Sequence, residues 1–134
     1  MARSDELALF DGVEDAIITL HGSKVPLGIF TSLPGETILL PLLKAKELSS
    51  FFHGIVHAGN CRARKPSPTG LETALSMLGV PATESVYYVG DRDVDQQTAA
   101  NAGVSFAWAS WGYQEGSPDG TAVILNNAEE LVAL

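Results

Sequence analysis

The sequence predicts an α/β fold in which a mostly parallel sheet is covered by helices. Short apolar runs alternate with segments whose apolar residues recur at helical spacing, an order typical of parallel strands joined by crossover helices. The chain has 134 residues, 46% of them hydrophobic and 18% charged, which suffices for the core of one domain. We therefore expect residues 1–134 to form a single domain.

The first half of the chain is predicted to contain two helices and two strands. Residues 13–20 carry apolar side chains at helical spacing, and Gly22 follows as a stop. Residues 25–30 are expected to form a buried strand, residues 37–48 a helix, and residues 53–58 a second strand.

The second half repeats the alternation. Ser67 is predicted to cap a helix that starts at Pro68 and ends at Gly79. The remaining expected elements are a strand over 85–89, a helix over 94–102, strands over 104–109 and 121–125, and a last helix over 128–134.

The charge balance restricts the possible partners. A net charge of −8 opposes binding to nucleic acid or to an anionic membrane. The apolar runs are too short to span a bilayer, and the first twenty residues show no signal-peptide pattern. A single cysteine, Cys61, cannot form an internal disulfide. The cytoplasm is therefore the predicted location.

Three groups of polar residues follow the predicted strands. Thr31 and Ser32 come after the first strand, Lys65 lies in the loop after the second, and the run from Asp91 to Asp95 comes after the third. Because ligands of such sheets bind beyond the carboxyl ends of the strands, these groups are expected to converge.

The run after the third strand holds Asp91, Asp93 and Asp95. Carboxylates at a strand end suit Mg²⁺, which prefers oxygen ligands, although a single aspartate there can simply cap the next helix. A calcium hand is excluded because Gln96 and Ala102 occupy its glycine and glutamate positions. A nucleotide P-loop is excluded because no Gly-Lys-Ser/Thr sequence occurs.

Thr31, Ser32 and Lys65 are candidates for binding a phosphoryl group. A hydroxyl and backbone N–H groups at a helix start can hold phosphoryl oxygens, and a lysine can neutralise their charge. The alternatives are an ordinary helix cap for the Thr-Ser pair and a solvated lysine.

In their order along the chain, these motifs resemble the haloacid dehalogenase superfamily. They are LGIFTS at 27–32, RKPSP at 64–68 and VGDRDVD at 89–95, which match its second, third and fourth motifs. Asp91, Asp95, Ala99, Ala102 and Gly103 further fit the phosphoglycolate phosphatase-like branch, as does the Trp-Gly-Tyr at 111–113.

The resemblance implies a Rossmann-like three-layer sandwich and Mg²⁺-assisted hydrolysis of phosphate monoesters through an aspartyl-phosphate. Thr31, Ser32 and Lys65 would bind the phosphoryl group, Lys65 and Asp91 would act in catalysis, and Asp91 and Asp95 would hold the metal. The partner would be a small phosphorylated metabolite.

The sequence departs from this family at its first motif, Asp-x-Asp, which supplies the nucleophile. Val13 stands two positions after Asp11, and the segment from Asp11 to Glu14 resembles instead the return from the cap domain. On this alignment the nucleophile strand and the cap are missing, and residues 1–10 or a second chain would have to complete the sheet.

Three hypotheses follow from this departure. The chain is a hydrolase core that is incomplete alone, a non-catalytic module that binds Mg²⁺ and phosphate, or an enzyme with Asp11 as an unusual nucleophile. The chemistry assigns no role to the remaining candidates, which are His21, His53, His57 and Cys61.

Overall fold

The computed structural model describes residues 12–31, 49–57, 63–112 and 116–134. These ranges contain the α-helices α1 (Val13–Gly22), α2 (Thr69–Leu78) and α3 (Asp93–Ala102). They also contain the strands β1 (Gly28–Phe30), β2 (Gly54–Val56), β3 (Tyr87–Gly90), β4 (Ser105–Ala109) and β5 (Val123–Leu125). Two short 3-10 helices cover Ser49–Phe51 and Ala128–Ala133.

The described strands form two parallel sheets. In one, β1 pairs with β2, and Gly28 lies opposite Gly54. In the other, β4 lies between β3 and β5, with Tyr88 opposite Phe106 and Trp108 opposite Ile124. The predicted α/β class with parallel strands and crossover helices is thus confirmed, whereas a single domain over 1–134 stays a prediction.

Glycines end two of the helices as the sequence predicts. Gly79 follows α2 with φ of 68° and Gly103 follows α3 with φ of 80°, a left-handed conformation that costs glycine little. The predicted start of α2 is shifted by one residue. Pro68 occupies the cap position, and the Ser67 hydroxyl instead accepts a long 3.4 Å hydrogen bond from the Thr69 N–H.

The main core lies between the β3–β4–β5 sheet and the helices α2 and α3. Its buried members are Leu71, Leu75, Tyr88, Ala99, Ala102, Val104, Phe106 and Trp108. Four aromatic rings run through it in sequence, with centroid separations of 6.1 Å for Phe30–Tyr88, 6.2 Å for Tyr88–Phe106 and 6.2 Å for Phe106–Trp108. These are separations at which rings attract each other in offset or edge contacts.

The first strand and the last helix also differ from the sequence-based expectation. The first strand begins at Gly28 rather than at residue 25, because the Val25 N–H donates to the Leu20 carbonyl and closes the end of α1. The segment expected as a last helix forms a 3-10 helix, capped by the Asn127 side chain, which accepts from the Glu130 N–H. The helix predicted over 37–48 lies outside the described residues. Across the part of the chain that is described, no helix has the length and apolarity needed to cross a membrane.

Candidate functional site

Lys65 is held at the point where the two sheets approach each other. Its ammonium nitrogen Nζ lies 2.7 Å from Oδ1 of Asp95, and both side chains are largely buried, with exposed fractions of 14% and 8%. The same nitrogen lies 5.1 Å from the ring centroid of Phe30 and 5.4 Å from that of Tyr88. A carboxylate and two aromatic faces thus fix a positive charge at this place.

Asp91 and Asp95 follow β3 directly. The first residue after the strand is Asp91, whose side chain is 24% exposed and whose Oδ1 lies 4.0 Å from Nε of Arg92. Asp95 lies in the first turn of α3, and the residue as a whole, backbone included, is 5% exposed. Its close approach to the strand requires glycine at position 90, because a Cβ built there would lie 2.6 Å from Oδ2 of Asp95.

Asp93 does not join this pair. It lines a separate cleft of about 570 Å³ together with Gln96 and Asp119, and its side chain packs close to Gly116. Residues two positions apart on a helix point to different sides, so Asp93 and Asp95 diverge. Asp119 hydrogen-bonds the Thr121 N–H and hydroxyl, and these bonds are the main reason that its pKa is lowered.

Thr31 follows the last residue of β1, at the same end of the fold as Lys65. Its N–H donates to the Val56 carbonyl at 3.0 Å, which continues the ladder between β1 and β2, and its side chain is half-buried. Ser32, the second residue of the predicted phosphate-binding pair, lies outside the described residues. The structure thus gathers Lys65, Asp95 and the ends of β1 and β3, as expected from a parallel sheet.

Tyr88 is a site residue that the sequence reading missed. Its hydroxyl donates to the Phe30 carbonyl at 3.1 Å and so links the two sheets. Burial raises the pKa of Tyr88 strongly, and the negative charges of Asp95 and Asp91 raise it further. The phenol therefore stays protonated as a donor. The pair of tyrosines at 87 and 88, within an otherwise apolar strand, would have been the available sequence signal.

The carboxylate pair fits the way in which proteins bind Mg²⁺. Among the described residues, no group of three or more histidine, cysteine or acidic side chains could hold a metal ion. Mg²⁺ commonly uses one or two carboxylates, retaining waters and taking substrate phosphate oxygens as its other ligands. Of the two carboxylates, Asp91 is the more accessible, since Asp95 already binds Lys65 through Oδ1.

The candidate residues left without a role are dispersed. His21 stacks on Phe51, with ring centroids 4.4 Å apart. His53 is exposed, and His57 is buried after β2. Cys61 lies outside the described residues. The structure therefore gives no reason to assign a role to the three histidines.

Comparison with known proteins identifies the family. The model of the family described as "haloacid dehalogenase-like hydrolase" matches residues 1–109. The chain belongs to this family. Its relatives include the phosphoglycolate phosphatase of Pseudomonas syringae pv. tomato, 32% identical over 127 residues that cover 92% of this chain and 46% of that protein. The corresponding enzyme of Pseudomonas fluorescens Pf0-1 is 30% identical over 134 residues, covering 98% and 48% of the two chains.

Solved structures of haloacid dehalogenase-like hydrolases share the fold. One is a hydrolase of this superfamily from Ehrlichia chaffeensis, with a TM-score of 0.84 at 23% identity, covering 99% of this chain and 60% of that chain. Another, from Geobacter sulfurreducens, has a TM-score of 0.76 at 27% identity, covering 92% and 58%. The Rossmann-like fold expected from the resemblance is confirmed. The chain spans about half the length of the curated relatives it matches.

Proposed function

We propose that this chain is the core of a Mg²⁺-dependent phosphatase for phosphate monoesters, and that it does not turn over substrate alone. The observation that carries the proposal is the position of Lys65. Its charge is fixed by Asp95 and two aromatic rings, at the same end of the fold as Thr31 and Asp91. The relatives described above include phosphatases. The use of Mg²⁺ and the absence of a nucleophile are our inference from the residues.

Each residue has a defined part in this proposal. Lys65 attracts the phosphoryl group and neutralises its charge, while the Thr31 hydroxyl and the Ser32 N–H hold phosphoryl oxygens. Asp91 and Asp95 hold Mg²⁺, which when bound would stabilise negative charge on the transferring group. The sequence has no Asp-x-Asp motif near residues 1–14, so the attacking carboxylate and its acid–base partner are not supplied and binding occurs without transfer.

The proposed substrate is a small phosphorylated metabolite. The relatives from Pseudomonas syringae pv. tomato and Pseudomonas fluorescens are phosphoglycolate phosphatases, so phosphoglycolate is the first compound to test. The net charge of −8 argues against nucleic acid and anionic membranes as partners. The cytoplasm remains the predicted location.

The decisive experiment separates binding from turnover. Binding of Mg²⁺ and inorganic phosphate to the purified chain is measured by calorimetry, and hydrolysis of an aryl phosphate is measured with and without Mg²⁺. We expect phosphate binding that Mg²⁺ strengthens, and no turnover above that of an Asp91→Asn variant. Lys65→Met should weaken phosphate binding at least tenfold, whereas Lys24→Met, at the opposite end of β1, should leave it unchanged. Mg²⁺-dependent turnover that is lost in the Asp91→Asn variant would contradict the inference that this chain lacks a nucleophile.

Two other functions remain distinguishable by the same assays. A non-catalytic Mg²⁺- and phosphate-binding module rests on the same Lys65–Asp95 geometry, and predicts that no added segment produces turnover. An enzyme with Asp11 as nucleophile predicts turnover that Asp11→Asn abolishes. Residue 11 lies outside the described residues, so this alternative rests on the sequence.

A further inference from the structure

A second concave site lies beside α3, on a different side of that helix from Lys65. It is the cleft of about 570 Å³ that Asp93 lines, and we call it the α3 cleft. Its lining residues on α3 recur at helical spacing and so share one side of the helix; they are Asp93, Gln96, Gln97 and Ala100. Asp95, which binds Lys65, is not among them. The α3 cleft is therefore separate from the proposed phosphatase site.

The rest of the lining combines apolar and polar residues. Val104, which precedes β4, and Phe106, which lies in it, are buried and give the cleft an apolar part. Polar residues of the loop before β5 complete the lining on another side, namely Ser117, Asp119 and Thr121. Clefts of this size and mixed lining are typical of sites for small organic molecules.

The Gln96 side chain is buried in this cleft with only one end of its amide paired. The residue is 7% exposed, and its Oε1 accepts a hydrogen bond from the Asp119 N–H at 3.1 Å. A backbone N–H can only donate, so this bond fixes which end of the amide is oxygen. Among the described residues, no atom accepts a hydrogen bond from the buried Nε2. The cleft thus holds a buried donor that lacks an acceptor.

Such a donor indicates where a bound molecule would place an acceptor. Buried side-chain polar atoms are nearly always paired, and an exception calls for an explanation. The neighbouring lining residues Gln97 and Asp119 are exposed, whereas Gln96 is buried, so its amide lies at the inner end of the cleft. An acceptor reaches Nε2 when exposed side chains at the mouth of the cleft move aside.

The α3 cleft is also acidic. Three carboxylates line it, those of Glu84, Asp93 and Asp119, and none of the described residues that line it is lysine, arginine or histidine. The Asp119 carboxylate accepts from the Thr121 N–H and hydroxyl, which stabilises its charged form. A metal ion would leave the apolar part and the Gln96 donor unused. The lining therefore suits an organic cation.

We propose that the α3 cleft binds a small organic cation that also carries a carbonyl oxygen. Its ammonium group lies among the three carboxylates, its carbonyl oxygen accepts from Nε2 of Gln96, and its apolar stem packs on Val104 and Phe106. A simple amine satisfies only the carboxylates, and an uncharged amide satisfies only Gln96. The proposal goes beyond the proposed function and does not depend on it, because this site contains none of the proposed phosphate or metal ligands.

The test compares three ligands with the same carbon chain. 5-Aminopentanamide carries the ammonium group and the carbonyl, pentylamine only the ammonium group, and pentanamide only the carbonyl. Each is titrated into isotope-labelled full-length chain without Mg²⁺ or phosphate, and binding is followed by NMR. We expect 5-aminopentanamide to bind at least about fivefold more tightly than either control, the worth of one hydrogen bond or one ion pair. It should also shift the side-chain NH₂ signals of Gln96.

Two results would overturn the proposal. Equal binding of pentylamine and 5-aminopentanamide would show that the carbonyl makes no contact. Binding that leaves the Gln96 NH₂ signals in place would show that the cleft attracts cations by its charge alone. Absence of binding by 5-aminopentanamide at millimolar concentration would contradict the site altogether.

Two pairs of variants locate the ligand. Gln96→Met should remove the preference for 5-aminopentanamide over pentylamine, whereas Gln97→Met, on the same side of α3 but exposed, should keep it. Asp93→Asn should weaken the binding of both amines about threefold, whereas Glu72→Gln removes the same charge from exposed α2 surface and should change binding less than about twofold. Equal effects within either pair would overturn the assignment. If Gln96→Met does not fold, the Gln96 signals of the parent and the Asp93 pair decide.

Asp91→Asn separates this site from the proposed metal site. The variant should leave the affinity for 5-aminopentanamide within about twofold of the parent, because Asp91 does not line the α3 cleft. A loss as large as that of Asp93→Asn would assign the ammonium group to the proposed metal site and overturn the proposal. Failure of phosphate binding in the phosphatase assays has no bearing on these titrations, so the two proposals fail independently.

Discussion

The described residues of the two sheets differ in how deeply their side chains are buried. The β3–β4–β5 sheet packs on a cluster of eight buried residues, and Trp108 in its central strand is 2% exposed. Among the described residues near the β1–β2 sheet, Val56 is 1% exposed, whereas Ile17, Ile29, Phe51, Phe52 and Ile55 are partly buried. The proposed metal ligands Asp91 and Asp95 follow the β3–β4–β5 sheet, while Thr31 follows the β1–β2 sheet. The two halves of the proposed site therefore depend on different sheets, and substitutions in the two sheets test them separately.

The largest expected effect is at Trp108, in the central strand of the β3–β4–β5 sheet. Trp108→Ala should lower the free energy of unfolding by about 3–5 kcal/mol, as removal of a buried aromatic side chain usually does. Phe51→Ala, near the β1–β2 sheet, should lower the free energy of unfolding by about 1–2 kcal/mol, because less apolar area is lost when a half-buried ring is removed. Urea denaturation followed by circular dichroism measures both values. Equal losses would contradict the expectation that the more deeply buried ring of Trp108 contributes more to stability than the ring of Phe51.

The second effect concerns the contact between the two sheets. Lys65→Met should lower the free energy of unfolding by about 3 kcal/mol, because it leaves Asp95 charged and largely buried without its partner. Adding Asp95→Asn to this variant should restore part of the loss, as a double-mutant cycle would reveal.

Lys24→Met is the matched control for the loss of a lysine, since Lys24 is exposed, and it should change the free energy of unfolding by less than about 0.5 kcal/mol. A Lys65→Met variant as stable as this control would refute the proposed importance of the ion pair.

The smallest expected effect is at the exposed residue Asp119, in the loop before β5. The pKa of Asp119 is lowered by its bonds to Thr121, so its contribution to stability is present above the unfolded-state pKa and is lost as the pH falls through the folded-state pKa. Asp119→Asn should therefore be slightly less stable than the parent at neutral pH, and the difference should vanish under acidic conditions. Melting temperatures of the parent and the variant, measured from neutral to acidic pH, test this expectation. A stability difference that grows on acidification would contradict it.

Much of the fold follows from local sequence patterns, because those patterns act over short distances. Gly79 and Gly103 end their helices where expected, and alternation of strands and helices predicts the parallel pairing. The start of β1 was placed three residues early, since an apolar run does not reveal that Val25 closes the preceding helix.

The candidate site was only partly predictable for a different reason. The motif order placed Lys65 and Asp95 at one end of the sheet, and the structure brings them into contact. The separation of Asp93 from Asp95 could have been derived from helical periodicity. The bond from Tyr88 to Phe30 spans 58 positions in the chain, and such a contact depends on how the two sheets approach each other.

Helix α1 has a consequence for how the two sheets are held relative to each other. It contacts the 3-10 helix Ser49–Phe51, which precedes β2, and also the 3-10 helix Ala128–Ala133, which follows β5. It thus packs against an element next to each of the two sheets. A change in the position of one sheet relative to the other must disturb the contacts of α1 with one of these 3-10 helices, so an element outside both sheets helps to hold them in place.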